Sequence, residues 1–196
     1  MNISKQELQE ELKVGRKKSA KPMLWVSMIS MVMFFAGLTS AYVISMRRDD
    51  WVTFDLPDAF YTSTFLVILS SITIFISQRL IKKEKRELSI GFLVTTLILG
   101  IAFVWFQWIG FNELKDAGLY FTGKESTVST SFIIGITLMH VIHIAAGIIV
   151  LLVVIYNHFK YRYKADDLLG FELGAIFWHF VDVLWIYLFL FFYFIR

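Results

Sequence analysis

Long stretches without any charge constrain this chain more than any other feature. No Asp, Glu, Lys or Arg occurs from Pro22 to Met46 (25 residues), Ala59 to Gln78 (20), Leu88 to Asn112 (25) or Ser126 to Phe159 (34). From Leu173 to Ile195 the only charge is Asp182. A bilayer core is crossed by roughly 20 apolar residues in a helix, and a helix is the open-chain structure that satisfies its own backbone hydrogen bonds in hydrocarbon. The pattern therefore predicts an all-α polytopic membrane protein with five transmembrane helices, over about residues 23–46, 59–79, 88–111, 130–157 and 172–195. Composition agrees: 57% of residues are hydrophobic and 18% charged, against about 45–50% apolar in a soluble domain. The fourth stretch would be about 51 Å long as one helix, so its polar start (Ser126 to Ser131) and its end (Asn157, His158) are expected at the interfaces. No cysteine is present, which excludes disulfides, thiolate metal sites and a cysteine nucleophile.

The distribution of Lys and Arg sets the orientation. The N-terminal tail and the loops after helices 2 and 4 carry 14 of the 19, and the opposite side carries 5. By the positive-inside rule the N-terminus is inside and the C-terminus outside. The sequence pI of about 9.0 then reflects topology and contact with anionic lipid, not nucleic-acid binding. Asp49, Asp50, Asp55 and Asp58 make the first outer loop acidic; a solvated loop is the simpler reading and a docking patch for a basic partner the sharper one. Residues 1–21 form a charged cytoplasmic tail, in which Ser4 and Glu7 have capping-box spacing and Leu8, Leu12 and Lys13 fit a short surface helix. Residues 22–196 form one transmembrane domain. No small-residue cleavage site follows the first apolar run, so helix 1 is the expected targeting signal. That favours a bacterial cytoplasmic (inner) membrane.

Helices in lipid pack through small and weakly polar residues. Such residues recur at helical spacing as Ser27, Ser30, Gly37 and Ala41 in helix 1; Ser63, Ser70, Thr73 and Ser77 in helix 2; Thr96, Gly100, Gln107 and Gly110 in helix 3; and Thr130, Thr137, His140 and Gly147 in helix 4. Each stripe is expected to face other helices. Ionisable groups inside a membrane are functional hypotheses by default, and here they are few. Glu172, His179 and Asp182 share a face of helix 5, with His179 and Asp182 within mutual reach; His140 and His143 repeat that spacing in helix 4. Three readings compete: a structural network joining helices 4 and 5, a proton route, and a metal or haem site built from the histidines with Asp182. A relay needs titratable or hydroxyl groups across the whole membrane, and a metal site usually draws ligands from several helices. The structural network is favoured, and catalysis by this chain alone is not expected.

The run G-F-E-L-G-A-I-F-W-H-F-V-D-V-L-W, Gly170 to Trp185, closely resembles the last helix of subunit III of haem-copper terminal oxidases, whose pattern is G-F-E-x-x-x-x-Y/F-W-H-F-V-D-x-x-W. T-L-M-H-V-I-H-I-A-A-G, Thr137 to Gly147, is similar to the family's preceding helix. Weaker likeness extends through Leu56 to Thr73 and Met28 to Gly37, so that it covers roughly residues 22–196. Many members have seven helices, and this chain resembles a shorter five-helix form.

What the resemblance implies is a V-shaped bundle with phospholipid in its cleft. This chain would bind no haem, copper or other redox cofactor of its own, those centres lying in partner subunits. Its implied role is accessory: packing against the catalytic subunit I and other oxidase subunits, supporting proton uptake, and, in a larger assembly, joining a respiratory supercomplex. The parent enzyme would be a proton-pumping cytochrome c oxidase of aerobic respiration; a quinol oxidase is the alternative within the family, and a stand-alone histidine-ligated haem or metal protein the alternative outside it. Residues carried over as family-motif positions, none of them catalytic, are His140, His143, Gly147, Glu172, Trp178, His179, Asp182 and Trp185. One departure stands out. Where members commonly show S-E-V-L-F-F, this chain reads Ser30-Met31-Val32-Met33-Phe34-Phe35, so Met31 replaces the family's buried acid and its proton role does not transfer. A second family acid, in helix 3, falls near Gly110, with Glu113 close by.

Overall fold

The computed structural model describes residues 5–49, 51–52, 55–121, 126–161, 163 and 168–195; the side chains of 5–10, 12, 13 and 16 lie outside that description. Among these residues five helices follow one another: α1 (Lys5–Ser45), α2 (Asp58–Lys82), α3 (Arg86–Asp116), α4 (Val128–Phe159) and α5 (Leu169–Phe194). All five are long and apolar enough to cross a membrane. Short connections alternate between the two ends of the bundle. The N-terminal region and the α2–α3 and α4–α5 connections share what we call the basic end.

Two boundaries differ from the sequence expectation. The tail is not a separate surface helix: its Glu, Leu, Lys and Gln are strong helix formers, and α1 runs unbroken for 41 residues with Pro22 inside it. At 1.5 Å per residue it measures about 60 Å, roughly twice the hydrocarbon thickness. The capping pair Ser4 and Glu7 and the side chains of Leu8, Leu12 and Lys13 lie outside the described residues. Similarly, α3 continues to Asp116, because charged residues end a membrane span without ending a helix.

The tightest element pair is α2 and α3, which form a helical hairpin. α2 ends in a Schellman arrangement: Glu84 adopts φ 59°, the Lys85 N–H donates to Leu80 O at 3.1 Å and the Glu84 N–H to Ile81 O at 3.1 Å. Hydroxyl groups then lace the pair along its length. Ser77 and Ser89 each donate to the other's carbonyl, at 2.7 and 2.9 Å. Thr73 Oγ1 meets Thr96 Oγ1 at 2.8 Å, Gln107 Nε2 donates to Ser63 Oγ at 2.8 Å, and the Ala59 N–H at the start of α2 donates to Glu113 Oε2 at 3.4 Å. Gly110 admits Phe60, whose ring lies 2.6 Å from where a Cβ would stand.

The other helices complete the bundle. α4 packs on α3 and α5, and α5 also packs on α2. α1 touches only α4 and α5; among the described residues none of its Cα atoms comes within 8 Å of α2 or α3. The expected small-residue stripes of helices 2, 3 and 4 are all buried. In α1 the expectation fails: Ser27, Ser30 and Gly37 are exposed and Ala41 is half-buried. α1 instead buries Met28, Phe35, Thr39 and Tyr42, a stripe of larger side chains, because it has neighbours on one side only and fills their surface with bulk. Ser27 and Ser30 satisfy their hydroxyls on the carbonyls one turn back, Met23 and Val26, at 3.0 Å each.

Candidate functional site

Two indoles, a histidine and a carboxyl of α5 reach toward α2, which supplies their hydrogen-bond partners. Trp178, 1% exposed, extends across the bundle. Its indole meets Gly100 of α3, where a Cβ would fall 2.6 Å from Cη2, and Gly147 of α4, where a Cβ would fall 3.2 Å from Cε3. Its Nε1–H donates to Ser70 Oγ of α2 at 3.1 Å. One ring therefore joins α5 to three other helices. Ser70 in turn lies 3.2 Å from Asp182 Oδ2, and Trp185, two turns further on, donates from Nε1 to Thr64 Oγ1 at 3.0 Å.

The expected contact between His179 and Asp182 does not form. Their side chains diverge onto adjacent residues of α2: Ser71 Oγ takes His179 Nδ1 at 2.6 Å, while Ser70 takes Asp182. Spacing of three on a helix leaves side chains about 60° apart in azimuth, which suits two consecutive residues on a neighbouring helix as well as it suits a pair. Accordingly the network joins α5 to α2, and not α5 to α4 as the sequence suggested. Nothing in the order of residues announced Ser70 and Ser71 as partners; only the place of Ser70 on a small-residue stripe was visible.

His140 is enclosed by rings. Trp185, Phe103 and Phe35 lie with centroids 5.3, 6.0 and 6.3 Å away, and neither imidazole nitrogen has a hydrogen-bond partner among the described residues. His143 is half-buried, with Nδ1 2.6 Å from Met139 O. Its Nδ1–H donates to that carbonyl within α4. His140 and His143 share the Phe35 ring while His179 turns to α2, and among the described residues no three His, Asp or Glu groups converge on a point that would hold a metal ion.

The basic end has its own polar cluster. Glu172 bridges two helices, receiving Lys21 Nζ of α1 at 2.9 Å and lying 3.7 Å from Lys82 Nζ of α2. Arg86, at the start of α3, donates to His158 O and, at 3.4 Å, to Tyr163 O, with its guanidinium 4.0 Å from the Tyr161 ring centre. A cation at the C-terminus of α4 complements its dipole. His158, in the last turn of α4, is fully buried, its ring beside Tyr163 and Phe171. Arg86 was missed from sequence, where it reads as one cation among several in a basic loop.

Met31 sits half-buried on α1 against the core that includes Phe35. A thioether there has nothing to titrate. Met31→Leu, a volume-conserving change, is expected to cost less than about 1.5 kcal/mol in thermal melting of the purified chain in mild detergent; a larger loss would mean that the thioether itself is required there. Near the other end a groove of about 550 Å³ separates α3 from α4, with Gln107 and Trp108 on one wall, Leu138 on the other, and Lys115 and Tyr120 at its mouth.

Five charge-poor spans, with interior polar groups turned mostly toward neighbouring helices, define a polytopic membrane protein. The family model described as cytochrome c oxidase subunit III matches residues 16–196. The chain belongs to that family. Relatives named cytochrome c oxidase subunit 3 include those of Pyricularia grisea, 32% identical over 137 residues (70% of this chain, 48% of the relative), and Neurospora crassa, 31% over 137 residues with the same coverage. That of Rhipicephalus sanguineus is 32% identical over 131 residues, 65% of this chain and 48% of its own. The chain spans about half the length of the curated relatives it matches.

Proposed function

We propose that this chain is a non-redox accessory subunit of a proton-pumping haem-copper terminal oxidase, one that passes electrons from cytochrome c to oxygen. It holds the catalytic subunit I in its working form and sustains proton uptake there. The observation that carries this reading is the use made of the G-F-E…W-H-F-V-D…W run. Glu172, Trp178, His179, Asp182 and Trp185 each engage another helix, so the residues that signal the family act here as structural joints. Haem and copper belong, on this reading, to the partner subunits. Phospholipid suits the groove between α3 and α4, where an apolar wall leads to the Lys115 ammonium. The setting, on this reading, is a bacterial cytoplasmic membrane; the distribution of Lys and Arg supports placing the basic end inside.

The test is affinity capture of the tagged chain from gently solubilised membranes. It is expected to bring down a subunit with haem absorption and stoichiometric copper; recovery of the chain alone, or with haem bound to the chain itself, overturns the reading. A companion prediction concerns Asp182. Interhelical hydrogen bonds in membranes contribute about 0.6–2 kcal/mol each, so Asp182→Asn should lower the yield of assembled oxidase several-fold and leave oxygen reduction per haem unchanged. Normal assembly with lost oxygen reduction would contradict it.

A further inference from the structure

α1 and α2 both pack on α5 yet stay apart from each other, which leaves a furrow whose floor is a strip of α5. On one side of the strip, Tyr187 OH meets Thr39 Oγ1 of α1 at 3.1 Å; on the other, Asp182 meets Ser70 of α2. Between these contacts the helical repeat places His179, Val183, Ile186 and Leu190. Val183 is 62% exposed, and His179 is half-buried. At the basic end the furrow is spanned by Glu172, held by Lys21 from one wall and Lys82 from the other. His179 lies about 10 Å further along the α5 axis, inside the hydrocarbon zone.

His179 makes this furrow more than a lipid-facing surface. Its Nδ1 is taken by Ser71, and its Nε2 meets no hydrogen-bond partner among the described residues. An imidazole nitrogen facing acyl chains would forgo hydrogen bonding at a cost of several kcal/mol, and intramembrane ionisable groups almost always face protein. An acyl chain has no polar atom to offer at that depth. A transmembrane helix, about 10–12 Å across with its side chains, can pack along an apolar strip of α5 and carries side chains able to meet Nε2.

We infer that the furrow between α1 and α2 is the docking surface for a transmembrane helix of another oxidase subunit, which presents an oxygen-bearing side chain to His179 Nε2. This rests on the oxidase-subunit reading above. The partner helix packs along Val183, Ile186 and Leu190 and against Ile68 and Phe75 of α2, both of which are exposed. Depth along the furrow is set by the histidine, because a slide of one turn breaks the single polar contact in an otherwise apolar interface.

The experiment places a photo-crosslinking benzophenone amino acid at Val183 in the complete oxidase within its native membrane. A second version carries it at Ile101, equally open on α3 (54% exposed) and remote from the furrow. Irradiation is expected to join Val183 to another oxidase subunit and Ile101 to lipid. His179→Phe should cut the Val183 adduct about five-fold, near 1 kcal/mol, while His179→Gln, which keeps a polar side chain at that level, should retain most of it. Adducts of Val183 with lipid only, or with a second copy of this chain, overturn the proposal, as does an undiminished adduct in His179→Phe. Capture of the haem- and copper-bearing partner by the same tagged chain separates the two readings. If the partner is captured while Val183 labels lipid, the docking surface is wrong and the subunit function stands; if no partner is captured, the function itself falls.

Discussion

Replacing Trp178 by alanine should destabilise the chain by about 3–5 kcal/mol, the usual cost of emptying a buried aromatic site. The indole is held on two faces by glycines of α3 and α4 and at its nitrogen by Ser70 of α2. Its loss therefore leaves a void where four helices meet and removes a donor from the Ser70 hydroxyl. Those helices have no loop between them that can collapse to fill the space. Thermal melting of the purified chain in mild detergent reads the effect directly. Trp105→Ala and Trp108→Ala are the controls: both rings are about two-thirds exposed, and changes there should stay within about 0.5 kcal/mol. Equal losses at all three positions would show that Trp178 is no special joint.

Adding one methyl group at Gly100 should also be damaging, and the same change at Gly37 should be harmless. At Gly100 the new Cβ would stand 2.6 Å from Cη2 and 2.9 Å from Cζ2 of Trp178. Retreat is blocked, since Gly147 already lies close on the α4 side and the Ser70 bond fixes the indole edge. Overpacking of this kind costs about 1–3 kcal/mol. At Gly37 nothing lies within 4 Å of where the methyl would stand, and alanine is a better helix former than glycine by up to about 1 kcal/mol. The melting temperature should fall for Gly100→Ala and hold or rise slightly for Gly37→Ala. A fall of equal size in both would mean that glycine matters here for backbone freedom, not for close approach.

These two glycines also show how far the sequence could be read. Both stand in small-residue stripes, and the stripe in α3 is buried while that in α1 is largely exposed. A stripe says that a helix can be approached closely. It does not say that another helix is there, and α1, with neighbours on one side alone, turned its bulky side to them. The polar site divides in the same way. Glu172, Trp178, His179, Asp182 and Trp185 were legible as one motif on one helix. Their partners were not, because Ser70, Ser71, Thr64 and Lys21 lie from 108 to 151 residues away in sequence and are ordinary residue types.

Five spans and the family motif follow from the sequence alone, since a run of 20 or more residues with no charge, or with Asp182 alone in the fifth, is a local property with one physical outcome in lipid. Only the tertiary structure decided that Asp182 and His179 each bind α2 instead of one another, that Arg86 holds the end of α4, and that a furrow remains between α1 and α2. Those are matters of azimuth and neighbour. Hydrophobicity drives a helix into a membrane without specifying which face meets which helix, and that choice is made by a small number of glycines and hydroxyl groups whose effect depends on what stands opposite them.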